Sequence, residues 1–183
     1  MSKTKRLTQS YGRFIAVPWQ DAAAPQRVIF CVYNEEDELQ LRAKIDEFEI
    51  VTRQANHEWT VFDLTDTFAN WLDSVRYKKS YFKKPNLIST LLPQYLVFIK
   101  KEFESFLQAK EVTGNTVVAL KGVGSLFGFL KVKEVVDTLS PLVKGRLLVF
   151  FPGTYENNNY RLLDGYDGWN YLAVTITADK DLQ

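Results

Sequence analysis

The sequence predicts an α/β fold, and three observations carry that prediction. Short, unbroken apolar runs recur along the chain, and RVIFCVY at 27–33 is the clearest of them. Runs of this kind suit strands buried on both faces of a sheet. Between the runs lie stretches whose apolar residues repeat at helical spacing. Polar or glycine-bearing residues follow where each run ends. Strands alternating with helices in this way predict a three-layer, Rossmann-like sandwich with a mostly parallel sheet of about five strands.

Each element follows from its residues. Residues 1–26, with their Ser, Thr and Lys and an Ala-Ala-Ala-Pro stretch, read as a basic, partly ordered N-terminal arm, and 27–183 as a single α/β domain. After the first strand, Asn34 is an N-cap, and Glu35, Glu36 and Asp37 occupy the first helical turn, where carboxylates suit the dipole. Leu41, Ile45 and Phe48 continue that helix. WTVFDL at 59–64 is the second strand, and Thr65 caps a helix carrying Phe68, Leu72 and Val75. RYKKSYFKKPN at 76–86 is a polar connection. A longer helix follows, with Leu92, Leu96, Ile99, Phe103 and Phe106 on one stripe and Pro93 in its first turn. TVVAL at 116–120 is the third strand, and GVGS leads into a helix from Leu126 to about Leu139 with a break near Gly128. RLLVFF at 146–151 and NYLAVTI at 170–176 complete the set. The expected strand order is 2-1-3-4-5, with the last strand parallel or antiparallel.

A chain of 183 residues with 46% hydrophobic and 25% charged residues is long enough for a substantial core. Its net charge of +1 exerts no overall pull on nucleic acid or acidic lipid, so such binding would need a local patch. The lone Cys31 excludes an internal disulfide and fits a reducing compartment. The N-terminus lacks a signal-peptide core, and no apolar run is long enough to span a membrane. A cytoplasmic location is expected.

Chemistry has little to build on. Lys121, Gly122, Gly124 and Ser125 form KGVGS, a strand-to-helix turn whose amides could meet a phosphate. The motif lacks phosphate-loop spacing, and a tight turn that needs small residues is the favoured reading. The acidic set Glu35, Glu36, Asp37, Asp63 and Asp66 has the oxygens magnesium prefers, but helix caps explain the same residues. No metal is expected. Arg76, Lys78, Lys79, Lys83 and Lys84 interleave with Tyr77, Tyr81 and Phe82, the ingredients of single-strand nucleic-acid binding and also of a solvated loop. His57 stands alone as a histidine, no GxSxG elbow exists, and Cys31 lies mid-strand as an inert thiol. No catalytic residue and no cofactor are expected.

Three stretches, FCVYNEEDELQLRAKI at 30–45, ALKGVGSLFGFLKVKEVVDTL at 119–139 and LLVFFPGTY at 147–155, share an order. A strand ends in Tyr and acidic residues, a strand runs into Gly-x-Gly plus an aromatic, and a strand ends in Phe-Phe-Pro-Gly-x-Tyr. That order resembles the BrxB family of the BREX bacteriophage-exclusion systems. The resemblance spans most of 28–176, is thin between Phe62 and Asn115, and ends after Tyr155, where the chain continues as ENNNYRLLDGYDGWN. It implies a small cytoplasmic α/β protein without established catalytic residues, acting as an adaptor. Implied partners are other BREX proteins: a PglZ-like protein of the alkaline-phosphatase superfamily first, then a BrxC-like ATPase or a PglX-like methyltransferase. A nucleotide- or nucleic-acid-binding protein of the same system is the alternative, and weak, charge-driven DNA contact is expected.

The divergent loop offers Tyr155, Tyr160 and Arg161, residue types that anchor interfaces. Pro152-Gly153 is expected to turn the chain, Asn157 to Asn159 to bend the backbone, and Leu162 and Leu163 to pin the loop to the core.

Overall fold

The computed structural model describes residues 1–76, 78–169 and 173–179. The fold is mixed α/β around an open seven-stranded sheet. The elements run α1 (Lys3–Ile15), β1 (Val28–Tyr33), α2 (Glu38–Ala43), α3 (Ile45–Gln54), β2 (Glu58–Asp63), α4 (Thr67–Ser74), α5 (Lys78–Lys83), α6 (Leu92–Ala109), β3 (Thr116–Lys121), α7 (Val132–Leu139), β4 (Arg146–Glu156), β5 (Asn159–Leu162), β6 (Gly165–Trp169) and β7 (Val174–Thr177). The main sheet has the order β2-β3-β4-β1-β7, and every pairing along it is parallel. Beyond the main sheet, β4 pairs antiparallel with β5, and β5 with β6.

This order corrects the expected 2-1-3-4-5: the chain steps β2, β3, β4 across neighbours, and β1 lies between β4 and β7. An apolar run says that a strand is central but carries no information about which strands flank it. The last strand runs parallel to β1, with Ile29 opposite Val174 and Val32 opposite Thr177. Of the expected segment 170–176, residues 170–172 lie outside the described residues, as does Tyr77.

The unbroken apolar runs arise because alternate side chains enter different cores. Val28, Phe30 and Val32 of β1 and Leu147, Val149 and Phe151 of β4 join the cluster covered by α4, α6 and α7. Ile29, Cys31, Leu148 and Phe150 join the cluster covered by α1 and α3. The helices show matching stripes: Tyr95, Ile99 and Phe103 on α6, and Val132, Val135, Val136 and Leu139 on α7, are buried.

Residues 1–26 differ most from expectation. The segment read as a basic arm supplies α1, which is N-capped by Ser2 and buries Leu7, Tyr11 and Ile15 at i, i+4 and i+8. Tyr11 packs its ring 5.3 Å from that of Phe48, and its hydroxyl bonds Thr52 Oγ1 at 2.6 Å. Thr52 in turn donates to the Phe48 carbonyl at 2.7 Å, so Tyr11 is the donor to Thr52. Burial drives the Tyr11 phenol far above its ordinary pKa, so it stays a neutral donor. The exposed lysines and arginines of α1 lie on the opposite, solvated face, and they gave the segment its polar look.

Truncating a fully buried aromatic ring costs about 3–5 kcal/mol. Tyr11→Ala is therefore expected to lower the stability measured by urea unfolding by an amount in that range. A change within about 0.5 kcal/mol, the behaviour of a surface site, would mean that α1 is not part of the core.

Candidate functional site

Ligands of parallel α/β sheets meet the rim at the carboxyl ends of the strands. Here that rim is divided. β1, β2 and β3 stop at Tyr33, Asp63 and Lys121, but β4 continues from Pro152 to Glu156 and pairs with β5. Pro152-Gly153 is thus mid-strand rather than a turn, a correction that Gly153 explains. A Cβ on Gly153 would come within 1.9 Å of the Arg161 carbonyl, so only glycine admits the returning strand. The reversal comes at Asn157 and Asn158, with φ of 50° and 63°. Two consecutive left-handed residues between paired Glu156 and Asn159 make a two-residue hairpin turn, where asparagine is favoured.

The hairpin has an inner and an outer face. Tyr160 is 1% exposed, packs against Phe30 and Phe151, and hydrogen-bonds the Thr175 hydroxyl. Burial pushes its phenol up to about 12. Its assignment to a partner surface is therefore corrected: alternation along β5 sends Tyr160 and Leu162 inward. Leu163 packs on the same core and donates its N–H to the Pro152 carbonyl at 2.8 Å. Tyr155 is half-buried, its hydroxyl donating to Asn158 Oδ1 at 2.9 Å. Arg161 points outward, opposite Tyr166 of β6, and donates to the Asp164 carbonyl at 2.5 Å.

β6 is fastened to the domain by Asp167. This buried carboxylate accepts from the Val132 N–H at 2.7 Å and the Lys133 N–H at 3.2 Å, the first two amides of α7. The residue at the N-cap position, Lys131, has no acceptor in its side chain, so the hairpin supplies one from 35 residues away. Beside this anchor lie three exposed aromatics: Phe127 at 44%, Phe129 at 36% and Tyr166 at 56%. They line a concavity of about 340 Å³. Phe129 stacks on Phe68 at 4.0 Å, Lys131 lies 5.8 Å over the Tyr166 ring, and Gly165 leaves room for Phe127. Sequence reasoning passed over these residues, although an α7 without an acceptor at its N-cap was a signal that a cap must come from elsewhere.

KGVGS is a filled turn. Gly122 has φ of 76°, and a Cβ there would meet Thr65 Oγ1 at 2.4 Å and Asp63 Oδ1 at 2.8 Å. The Asp63 carboxylate and Thr65 thus leave no room for a side chain at 122, which is why the turn needs glycine there. Lys121 is turned to that carboxylate, 3.5 Å from Asp63 Oδ2. The Ser125 N–H goes to the Gly122 carbonyl, and its hydroxyl lies 2.7 Å from that oxygen and 3.0 Å from the Leu64 carbonyl. Gly124 faces Pro152 across a cleft of about 240 Å³, whose cation, Arg42, is held 2.6 Å from Glu38. Partial burial raises the Asp63 pKa, but hydrogen bonds from the Thr65 hydroxyl and amide, with Lys121, outweigh it and hold the carboxyl below its usual range.

Among the described residues no three His, Cys, Asp or Glu side chains gather as a group able to hold a metal ion. Arg76, Lys79, Lys83 and Lys84 are exposed, Tyr81 is half-buried, and Lys78 begins α5. His57 stacks 3.8 Å from Trp19 and bonds Asn115 Oδ1 at 2.6 Å. Cys31 is fully buried, which pushes its thiol well above the ordinary range and keeps it protonated. Among the described residues no helix is long and apolar enough to cross a membrane.

The family model described as BREX protein BrxB matches residues 64–176. The matched span runs from the end of β2 through β7 and contains the turn, the aromatic patch and the hairpin. It covers the 119–139 and 147–155 stretches and also the 64–115 segment where the motif resemblance was thin. No curated protein and no solved structure matches the chain.

Removing Asp167 leaves buried helix-terminal amides without their acceptor. Asp167→Ala is expected to cost about 2 kcal/mol in urea unfolding, with Asp167→Asn milder. A loss under about 0.5 kcal/mol for Asp167→Ala would deny the anchor. Asp63 gives a pH signature. Its pKa is lowered on folding, so its contribution is present above the unfolded value of about 3.9 and lost as pH falls through the folded one. The stability gap between the wild type and Asp63→Asn should hold at neutral pH and shrink only below about pH 4. A gap independent of pH down to full protonation would contradict the ion pair.

Proposed function

The chain belongs to the BrxB family of BREX proteins, and from that membership we propose that it is a non-enzymatic adaptor of phage defence. Family membership implies involvement in BREX phage defence, with other BREX components as partners. The observation that carries the adaptor reading is the patch of Phe127, Phe129 and Tyr166, with Arg161 opposite Tyr166 on the outer face of the hairpin. Aromatic and arginine side chains on a rigid frame are the residue types that dominate binding energy at interfaces. Here the frame is fixed by the Asp167 cap beneath and the Phe68 ring behind.

Within this reading the partner is a PglZ-like protein first, with BrxC-like and PglX-like components as further candidates, and the location is cytoplasmic. The three-layer, Rossmann-like description belongs to the same reading, supported by helices packed on both faces of the parallel strands. Nucleotide binding is the weaker reading of the 121–125 turn, where Lys121 already faces the Asp63 carboxylate and the Ser125 hydroxyl faces backbone carbonyls.

The test is co-purification of the neighbouring defence proteins with a Phe127→Ala, Arg161→Ala, Tyr166→Ala variant. Interface hot spots cost about 2 kcal/mol or more each, so capture should fall at least about tenfold while the melting temperature holds. Undiminished capture of every partner by the folded variant would sink the patch as the contact surface.

A further inference from the structure

A second surface stands apart from the hairpin. A groove of about 510 Å³ lies between α4 and α6 and is closed at one side by Tyr81 of α5. Helix α6 lends it Gln94, Val97, Phe98 and Lys101, positions i, i+3, i+4 and i+7 of a single stripe. That stripe adjoins the buried face of α6: Phe98 packs against the core cluster, while Val97 turns away from Tyr95, Ile99 and Phe103. At its centre Val97 is 67% exposed, an aliphatic side chain turned to water in mid-helix. Trp71, Val75 and Leu91 complete the apolar lining.

The charged side chains that line the groove, Arg76 and Lys101, are both cations. Exposed Lys79 and Lys83 lie on α5, the helix that carries Tyr81, and Lys84 follows it. Arg76 and Asp73 each already engage other groups, so the cationic character of the rim is carried by Lys101 and the α5 lysines, and Glu104 is 3.9 Å from Lys100. An apolar trough with a cationic rim complements an apolar stripe with acidic flanks.

We propose that the α4–α6 groove docks an amphipathic helix of a partner protein, carrying apolar residues at i, i+3 and i+4 flanked by Asp or Glu. A single-stranded nucleic acid fits the same rim less well. Base stacking needs open ring faces, whereas Trp71 is 3% exposed and stacked on Tyr95 at 5.2 Å, and the open centre is Val97. The inference rests on the adaptor reading and assigns the chemistry of one partner contact.

The experiment places a photo-crosslinking p-benzoylphenylalanine at position 97 of the full chain, co-expressed with the other components of its defence cassette. The expected product is a cross-link to one protein segment with that apolar and acidic pattern. A synthetic peptide of the segment should bind the wild-type chain in fluorescence anisotropy, more weakly as salt rises. Val97→Asp and Lys101→Glu, each with unchanged melting temperature, should weaken it at least about tenfold, the size of an interface hot spot. Cross-links to nucleic acid, to a second copy of the chain or to a segment without acidic flanks would overturn the proposal. Absence of any cross-link while partners still co-purify would overturn the groove and leave the adaptor reading standing. Failure of every component to co-purify at all would overturn both.

Discussion

Strand β4 is buried over most of its 11 residues and pairs in turn with β3, β1 and β5, and the other elements are placed by it. Its first half lies between β3 and β1, with Leu148 opposite Ala119 on one side and Ile29 on the other. Its second half outruns the rim and accepts β5, with Gly153 opposite Leu162. The two halves demand different things of one strand. The first needs side chains that fill two cores, and Leu147 to Phe151 supply them. The second needs room for a returning backbone, and Gly153 supplies that by having no Cβ. Phe-Phe-Pro-Gly-x-Tyr is therefore a record of where the strand changes partners, and Pro152 costs little because it sits at the change.

Much of this was legible in the residues. Strands buried on both faces announce themselves by unbroken apolar runs, so β1 and β3 were found close to their true places, and β4 over its first part, 146–151. The asparagines declared a bend, and positive φ at Asn157 and Asn158 is the physical content of that declaration. What escaped were relations between distant segments. Tyr160 as a residue type reads as an interface anchor, but its partners Phe30, Phe151 and Thr175 are set by β-pairing that no local pattern encodes. Helix α1 escaped because half of its buried residues, Thr4, Thr8 and Ser10, are polar and only Leu7, Tyr11 and Ile15 mark the stripe, so cations dominated its composition.

The rim shows how the same residue types serve structure in one context and function in another. Gly-x-Gly after a strand can cradle an anion only if its amides face open space. At Gly122 the Asp63 carboxylate and Thr65 crowd the Cα, the Ser125 amide is spent on the Gly122 carbonyl, and the serine hydroxyl is turned to backbone carbonyls. A carboxylate repels the group that the motif would otherwise attract. The anion-seeking role has instead passed to α7, where the ligand is internal: Asp167 brings its charge to the helix N-terminus and binds the hairpin there. One electrostatic preference thus becomes a tertiary fastening.

The two exposed surfaces share a support. Phe129 of the patch stacks on Phe68, Phe68 lies 5.7 Å from Trp71 and 5.4 Å from Tyr95, and Trp71 floors the α4–α6 groove. The Tyr95 hydroxyl meets Thr67 Oγ1 at 2.7 Å, and Thr67 donates to the Leu64 carbonyl at 2.8 Å, so the Thr67 hydrogen commits the pair to one direction. This chain of rings belongs to the core, where packing is dense and shape changes are resisted. A substitution at Phe68 or Tyr95 would disturb both surfaces through lost packing and would say nothing about either. Substitutions at the outer ends, Tyr166 and Val97, touch one surface each and leave the shared rings in place. On the proposed adaptor reading, two surfaces carried on one stiff aromatic core would hold two partners at a fixed separation.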